Sequence, residues 1–183
     1  PADGAPRHTI SRTFDFVLAV RYNADGTRLA AAGADQAIRV FNGTNGLEEL
    51  LIEQHADWVM DIAFHASDQF LASASRDKTS RLFNLATGAL EESYLGHDQP
   101  VFAVAFGEDG AQIFSARRDR AIHLWERKSG KKLDTIGGFE GDIFHIVLAG
   151  GSLFGCGADG KVARHEAAGK HSRLRAFEGH SDS

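Results

Sequence analysis

The sequence predicts an all-β chain made of four repeated units, each a four-stranded antiparallel sheet, and three observations predict it. The first is a repeat. His97 answers to His55 one step of 42 earlier, Val101 to Val59 and Val17, Asp119 to Asp77 and Asp35, and Trp125 to Phe83 and Phe41. One step forward, at 42, 40 and 40, stand Ile143, Asp159 and His165. The second is that short apolar runs alternate with Asp-Gly, Asn-Gly and Thr-Gly dipeptides, which turn a chain rather than continue it. The third is a fourth apolar mark per unit, Ile10, Ile52, Tyr94, Ile136 and Phe177, at steps of 42, 42, 42 and 41. A period of 40 to 42 residues with four short strands per unit is the signature of β-propeller blades.

Taken in order, residues 1–6 are a polar, Pro-containing lead-in, and 7–11 align with the outermost strand of a unit whose first three strands are absent. Four units follow, 13–54, 55–96, 97–138 and 139–179, all within one domain over 1–183. Each first strand carries apolar residues spaced three and then two: Val17, Val20, Tyr22; Val59, Ile62, Phe64; Val101, Val104, Phe106; Ile143, Ile146, Leu148. A regular strand alternates with period two, so the gap of three predicts a β-bulge in every innermost strand. The next hairpins turn at Asp25-Gly26, Ser67-Asp68 and Asp109-Gly110, with Asp68 where its neighbours have glycine. The fourth unit shortens this hairpin by two residues, Ala149 to Ser152. Second strands are rich in small residues and read as buried, with Cys156 an inert buried thiol among them. Third strands end on Phe41, Phe83, Trp125 and His165, and glycine turns lead into the outer strand. Asn42-Gly43-Thr44 matches a glycosylation sequon, but a turn here wants Asn and Gly in any case.

Composition excludes several function classes. The 20 Lys and Arg against 25 Asp and Glu argue against a nucleic-acid coat built on bulk charge. No stretch is long and apolar enough to span a membrane. One cysteine forbids an intrachain disulfide and supplies no cysteine-pair metal or haem motif. The nine histidines, His123, His145, His165 and His171 among them, show no ligand spacing, so neither metal nor cofactor is expected.

The phrase from Gly96-His97 through Asp119 to Trp125 resembles the WD-repeat family, and the resemblance covers about residues 7 to 180. It implies an arc of a propeller, since four units are fewer than most rings of that family use. The absence of Met at the first position and the unit-like opening at Gly179-His180 point to a larger ring. His97, Ser115, Asp119 and Trp125 look like a catalytic set. The resemblance implies a structural relay instead, in which the indole donates to Ser, Ser bonds His, and His bonds the Asp of a tight turn. No strained nucleophile elbow accompanies the Ser. The second unit keeps His55, Ser73 and Asp77 but has Phe83 for the Trp. The first offers Thr13, Ala31, Asp35 and Phe41, and the fourth Phe139, Gly155, Asp159 and His165.

Propellers of this family bind partners at one rim, through bulge residues and the residue before each turn Asp. Here those positions are Phe16 and Leu18; Trp58, Met60 and Arg76; Phe102 and Arg118; Phe144 and His145. Aromatics, Met and Arg are the composition of an interface hot spot, against a reading in which the aromatics are core and the arginines solvated. Arg76 and Arg118 stand at equivalent heights and would together clasp a carboxylate or phosphate. The expected function is a non-catalytic protein-interaction scaffold for a protein or peptide, with neither nucleic acid nor membrane as partner. Open blade edges would let the chain self-associate. The alternative is the docking propeller of a larger enzyme or haem electron-transfer protein. The wording around His55 to Asp61 and Ser75 to Thr79 resembles WD repeats of exported bacterial proteins with c-type haem domains, which implies a periplasmic rather than cytoplasmic location.

Overall fold

A computed structural model describes residues 10, 15–118, 120–167, 169 and 171–178. Within them every element is a strand, and the sixteen strands form four separate four-stranded antiparallel sheets. The first sheet holds β1 (Val17–Tyr22), β2 (Arg28–Gly33), β3 (Ile38–Asn42) and β4 (Glu48–Ile52). The second holds β5 (Val59–Phe64), β6 (Phe70–Ser75), β7 (Ser80–Asn84) and β8 (Leu90–Tyr94). The third holds β9 (Val101–Phe106), β10 (Gln112–Arg117), β11 (Ile122–Glu126) and β12 (Lys132–Ile136). The fourth holds β13 (Ile143–Ala149), β14 (Ser152–Gly157), β15 (Lys161–Glu166) and β16 (Arg173–Glu178). Strands pair in sequence order within each sheet, the up-and-down meander of a propeller blade. Apart from Ile10, the outer strand expected over 7–11 lies outside the described residues, as does the opening of a further unit at 179–183.

Each innermost strand carries the bulge that its spacing of three requires. Register slips between Val17 and Ala19, between Val59 and Asp61, opposite Ala116 and Arg117, and between Ile143 and His145. The residues left over are Leu18, Met60, Phe102 and Phe144. A second slip, between the third and fourth strands of every sheet, has no counterpart in the apolar pattern. The Ser67-Asp68 turn puts Asp68 at φ 55°, the left-handed conformation that Asp tolerates and that Gly26 and Gly110 occupy at 73° and 67°.

Side chains alternate across a strand, so each sheet has two packing faces. In the first three sheets the inner strands carry alanines on one face and larger residues on the other, and the stack sets the two against each other. Ala19, Ala30 and Ala32 of the first sheet pack on Val59, Ile62, Leu71 and Phe83 of the second. Ala72, Ala74 and Leu82 pack on Val101, Val104, Ile113 and Trp125 of the third. Ala103, Ala116 and Leu124 pack on Ile143, Ile146 and Leu153 of the fourth. Small side chains let neighbouring blades approach while their inner strands converge, and density is kept by the bulky partners opposite. Among the described residues the sheets pack extensively on their sequence neighbours, β1 on β5, β5 on β9 and β9 on β13, and no such packing joins the fourth sheet to the first, so the blades form an open arc rather than a closed ring. Val17, Val20 and Tyr22 are therefore exposed at one end and Val147 at the other. For the same reason Cys156 is half-buried rather than fully enclosed, because no further blade covers its face.

Candidate interaction rim

The buried polar set comes first, because it decides what the Ser and His residues are for. In the third blade Trp125 Nε1 donates to Ser115 Oγ at 3.2 Å, and His97 Nε2 lies 2.7 Å from the same oxygen. Ser115 is 0% and His97 6% exposed, so no substrate can reach them. Asp119 lies outside the described residues. In the second blade the chain of bonds is followed to its end. His55 Nε2 is 2.7 Å from Ser73 Oγ, and His55 Nδ1 is 2.7 Å from Asp77 Oδ2. Asp77 also accepts from the backbone of Ala56 and Thr79 and from the Thr79 hydroxyl. Burial alone would raise the carboxyl of Asp77, but the bonds from His55 and Thr79 outweigh it and hold the group well below the ordinary carboxylate range.

The relay positions have other chemistry in the outer two blades. Asp35 accepts from Ala37 N–H and pairs with the buried Arg39 at 2.7 Å. Asp159 accepts from the N–H groups of Lys161 and Glu140. Each turn Asp among the described residues thus closes its own hairpin, followed by a left-handed residue: Gln36, Lys78 and Gly160. In the fourth blade the Phe139 ring fills the relay space and stacks on His165 at 5.1 Å. A Cβ at Gly155 would come within 2.7 Å of that ring, so Gly here is what makes room for Phe.

Two polar sets escape sequence reasoning. Tyr94 stacks on Trp125 at 5.4 Å and bonds His123 Nδ1 at 2.7 Å, while His123 stacks on His97 at 4.4 Å. Burial and the neighbouring His123 push His97 down to about 2, and burial pushes His123 down to about 4 and Tyr94 up to about 12. All three are neutral at physiological pH. The second set joins blades at the channel. Buried Asp61 binds Arg21 of the first blade at 2.7 Å and accepts from Val104 N–H of the third at 3.2 Å. Arg21 also donates to His145 Nε2 of the fourth at 3.1 Å. Burial raises the Asp61 carboxyl, with Arg21 opposing. No spacing signal marks these pairs, since partners 40 and 124 residues apart meet only through the blade stack. The inner strands also line a cavity of about 410 Å³ bounded by Arg21, Asp61, His65, Glu108 and His145.

At one rim the backbone sets four blades at equal height. Ala34, Arg76, Arg118 and Ala158 donate their N–H groups to the carbonyls of Phe16, Trp58, Pro100 and Asp142. Phe16 is 73% exposed and Trp58 36%, and the Arg76 guanidinium lies over the Trp58 ring at 4.4 Å. The bulge side chains Leu18 and Phe144 are exposed, while Met60 and Phe102 are half-buried. Phe102 is covered partly by Phe144 of the next blade, centroids 5.7 Å apart. Arg76 and Arg118 do not share one anion. Arg76 Nε stands 3.7 Å from Asp57, and Arg118 Nε 3.4 Å from Asp142, so each guanidinium has its own carboxylate. Among the described residues no cluster of His, Cys, Asp and Glu is arranged to hold a metal, and no helix is long and apolar enough to cross a membrane.

Against known families, the model described as "WD domain, G-beta repeat" matches residues 4–42, 48–84 and 88–126. The second stretch spans β4 to β7 and the third β8 to β11, so the family's repeat runs from one blade's outer strand through three strands of the next. The match addresses the family and not the narrower haem-linked type. No curated protein matches the chain.

Proposed function

This chain belongs to the WD-repeat family, whose repeats typically mediate protein–protein interaction, and we propose that it is a non-catalytic scaffold binding a protein or peptide at the rim of Phe16, Trp58, Met60, Phe102 and Phe144. The observation that carries this reading is the set of four bulges, which lifts one apolar side chain per blade toward the same rim. Beside them Trp58 keeps a third of its surface open under a cation–π partner, and large rigid aromatics with Arg are what interface hot spots are made of. Asp57 and Asp142 hold the two guanidiniums in place and leave Arg118 largely exposed to an acidic partner. The burial of Ser115 and His97 supports a structural rather than catalytic use of the one Ser, His and Trp constellation.

A displayed peptide library selected against the purified chain tests the proposal. Selected peptides should lose affinity when Trp58→Ala and Phe144→Ala are introduced, and keep it when outer-strand residues such as Leu133 are changed. Peptides that bind the rim variant as tightly as the wild type would refute it.

A further inference from the structure

The turn between β3 and β4 holds two Asn-Gly pairs, Asn42-Gly43 and Asn45-Gly46, and we propose that Asn45 is a site of spontaneous deamidation to an isoaspartyl residue, while the fold holds Asn42 back. An Asn before glycine meets least obstruction in this reaction, because no Cβ shields the glycine nitrogen. That nitrogen gives its proton to solvent base and forms a bond to the Asn side-chain carbonyl carbon. The bond from this carbon to the amide nitrogen breaks, and ammonia leaves with a proton from solvent. Water then adds to either carbonyl of the five-membered imide, which opens to aspartate or to isoaspartate. The chain has no other Asn-Gly pair. Asp-Gly pairs reach the same imide more slowly, because an ionised carboxylate resists attack by an amide nitrogen.

The fold treats the two pairs differently. Asn42 is half-buried and held at both ends of its carboxamide. Its Oδ1 accepts from the N–H groups of Thr44 and Asn45 at 3.0 and 3.1 Å, and its Nδ2 donates to Glu49 Oε1 at 3.0 Å. The attacking atom is held too, since Gly43 N–H donates to Thr27 O at 2.6 Å. A Cβ on Gly43 would stand 2.5 Å from Gly26 O, so this peptide is wedged against the neighbouring hairpin. Asn45 is exposed, and among the described residues its carboxamide makes one hydrogen bond, with Oδ1 accepting from Leu47 N–H at 2.9 Å. That bond closes an Asx-turn, which curls the side chain back along the Gly46 peptide. Gly46 N–H donates to Asn42 O at 2.9 Å inside the same surface turn, so a local opening frees it without disturbing a second hairpin.

The next two blades show what the turn tolerates. Thr87 and Ser129 hold the position of Asn45, each before a left-handed glycine, Gly88 at φ 72° and Gly130 at 62° against 71° for Gly46. Their hydroxyls accept from Ala89 and Lys131 N–H as Asn45 accepts from Leu47. The turn needs a side-chain oxygen, so the aspartate product keeps it. Isoaspartate does not, because the main chain then runs through the former side chain and is longer by a carbon. The added length falls between the two bonds that close the turn, Asn42 N–H to Leu47 O at 2.8 Å and Gly46 N–H to Asn42 O, and loosens β4 from β3. β3 leads away from the rim turn at Asp35, so this turn lies at the other end of the blade from Phe16, and the proposal does not rest on rim binding.

The purified chain, aged at neutral pH and physiological temperature, is digested and its amide-to-acid conversion located by fragmentation mass spectrometry. Methyl transfer from S-adenosylmethionine by an isoaspartyl methyltransferase counts the isoaspartyl product. Asn45 should convert at least about tenfold faster than Asn42, and the two rates should converge when urea unfolds the chain. Asn45→Thr should abolish the methyl acceptor and leave the urea midpoint unchanged. Asn45→Asp should unfold with the wild type, whereas the aged isoaspartyl fraction should unfold at lower urea. Conversion at Asn42 as fast as at Asn45 in the folded chain overturns the proposal, and so does a methyl acceptor that persists in Asn45→Thr. An Asn45 that stays amidated in the folded chain while the unfolded chain converts also overturns it.

Discussion

Ser115 and Ser73 are 0% exposed, and each is held by a histidine at 2.7 Å, so their hydroxyls act as junctions between strands. Removing one partner of such a junction leaves the others buried and unpaired. His97→Ala should cost about 1–3 kcal/mol of stability, read as a shift in the urea midpoint. Thr13, the matching position of the first unit, lies outside the described residues, and a Thr13→Ala change losing as much would mean the relay does not set the third blade apart. The fourth blade allows a sharper test. Gly155→Ser alone places a Cβ against the Phe139 ring and should cost about 1–3 kcal/mol, while Gly155→Ser with Phe139→His should recover much of that loss. Additive losses would show that the ring does not occupy relay space. The stacked His97 and His123 give a pH signature. Both have folded values below the ordinary 6.5, so the fold binds fewer protons than the unfolded chain. Their contribution is complete above about pH 6.5 and declines as pH falls toward 4, by on the order of 2 kcal/mol. His123→Gln should flatten that decline. Asp77, held low, adds nothing to it until the pH passes below the ordinary carboxylate value.

At the scale of the strand, the bulge is the element that matters. It leaves Leu18, Met60, Phe102 and Phe144 out of register, two of them exposed and two half-buried, and the residues after it return to core spacing. One position beyond the bulge, Asp61 binds three inner strands together through Arg21, its own β5 and the N–H of Val104. Asp61→Ala leaves that N–H unpaired and takes from Arg21 its carboxylate, and should lower the thermal midpoint by several degrees. Asp61→Asn keeps an acceptor for Val104 and should lose less. Equal losses from the two would assign the effect to charge rather than to the inter-strand bond.

For the whole molecule, the question is which surfaces are left to work with. The rim is the surface where aromatic side chains and a guanidinium stay open together. Trp58→Ala should weaken a selected peptide by on the order of 2 kcal/mol while leaving the thermal midpoint nearly unchanged, because a partly open indole contributes more to a partner than to the core. A large drop in midpoint with undiminished binding would make Trp58 a packing residue. Arg76→Ala with Arg118→Ala should slow association and weaken its salt dependence, since both charges lie at an exposed rim.

The repeat, the four strands per blade and the bulge in each inner strand were legible in the sequence. They are short-range facts: apolar spacing sets which face a side chain takes, and Asp or Gly at a hairpin sets where the strand stops. Asp68 in a left-handed turn was legible for the same reason. The second register slip toward the outer strand was not, because those strands are largely solvated and carry no strict pattern. Nor were the Asp61, Arg21 and His145 node, the Tyr94 and His123 bond, or the separate carboxylates that Arg76 and Arg118 take. Apart from the Arg76–Asp57 pair, which lies within the second blade, each depends on how far one blade stands from the next, which local propensity does not encode. An arc rather than a closed ring was expected from the count of four units, but not the order of faces within it. The first three blades present alanines on one face and larger residues on the other, and only the packed stack decides which of them finds a neighbour.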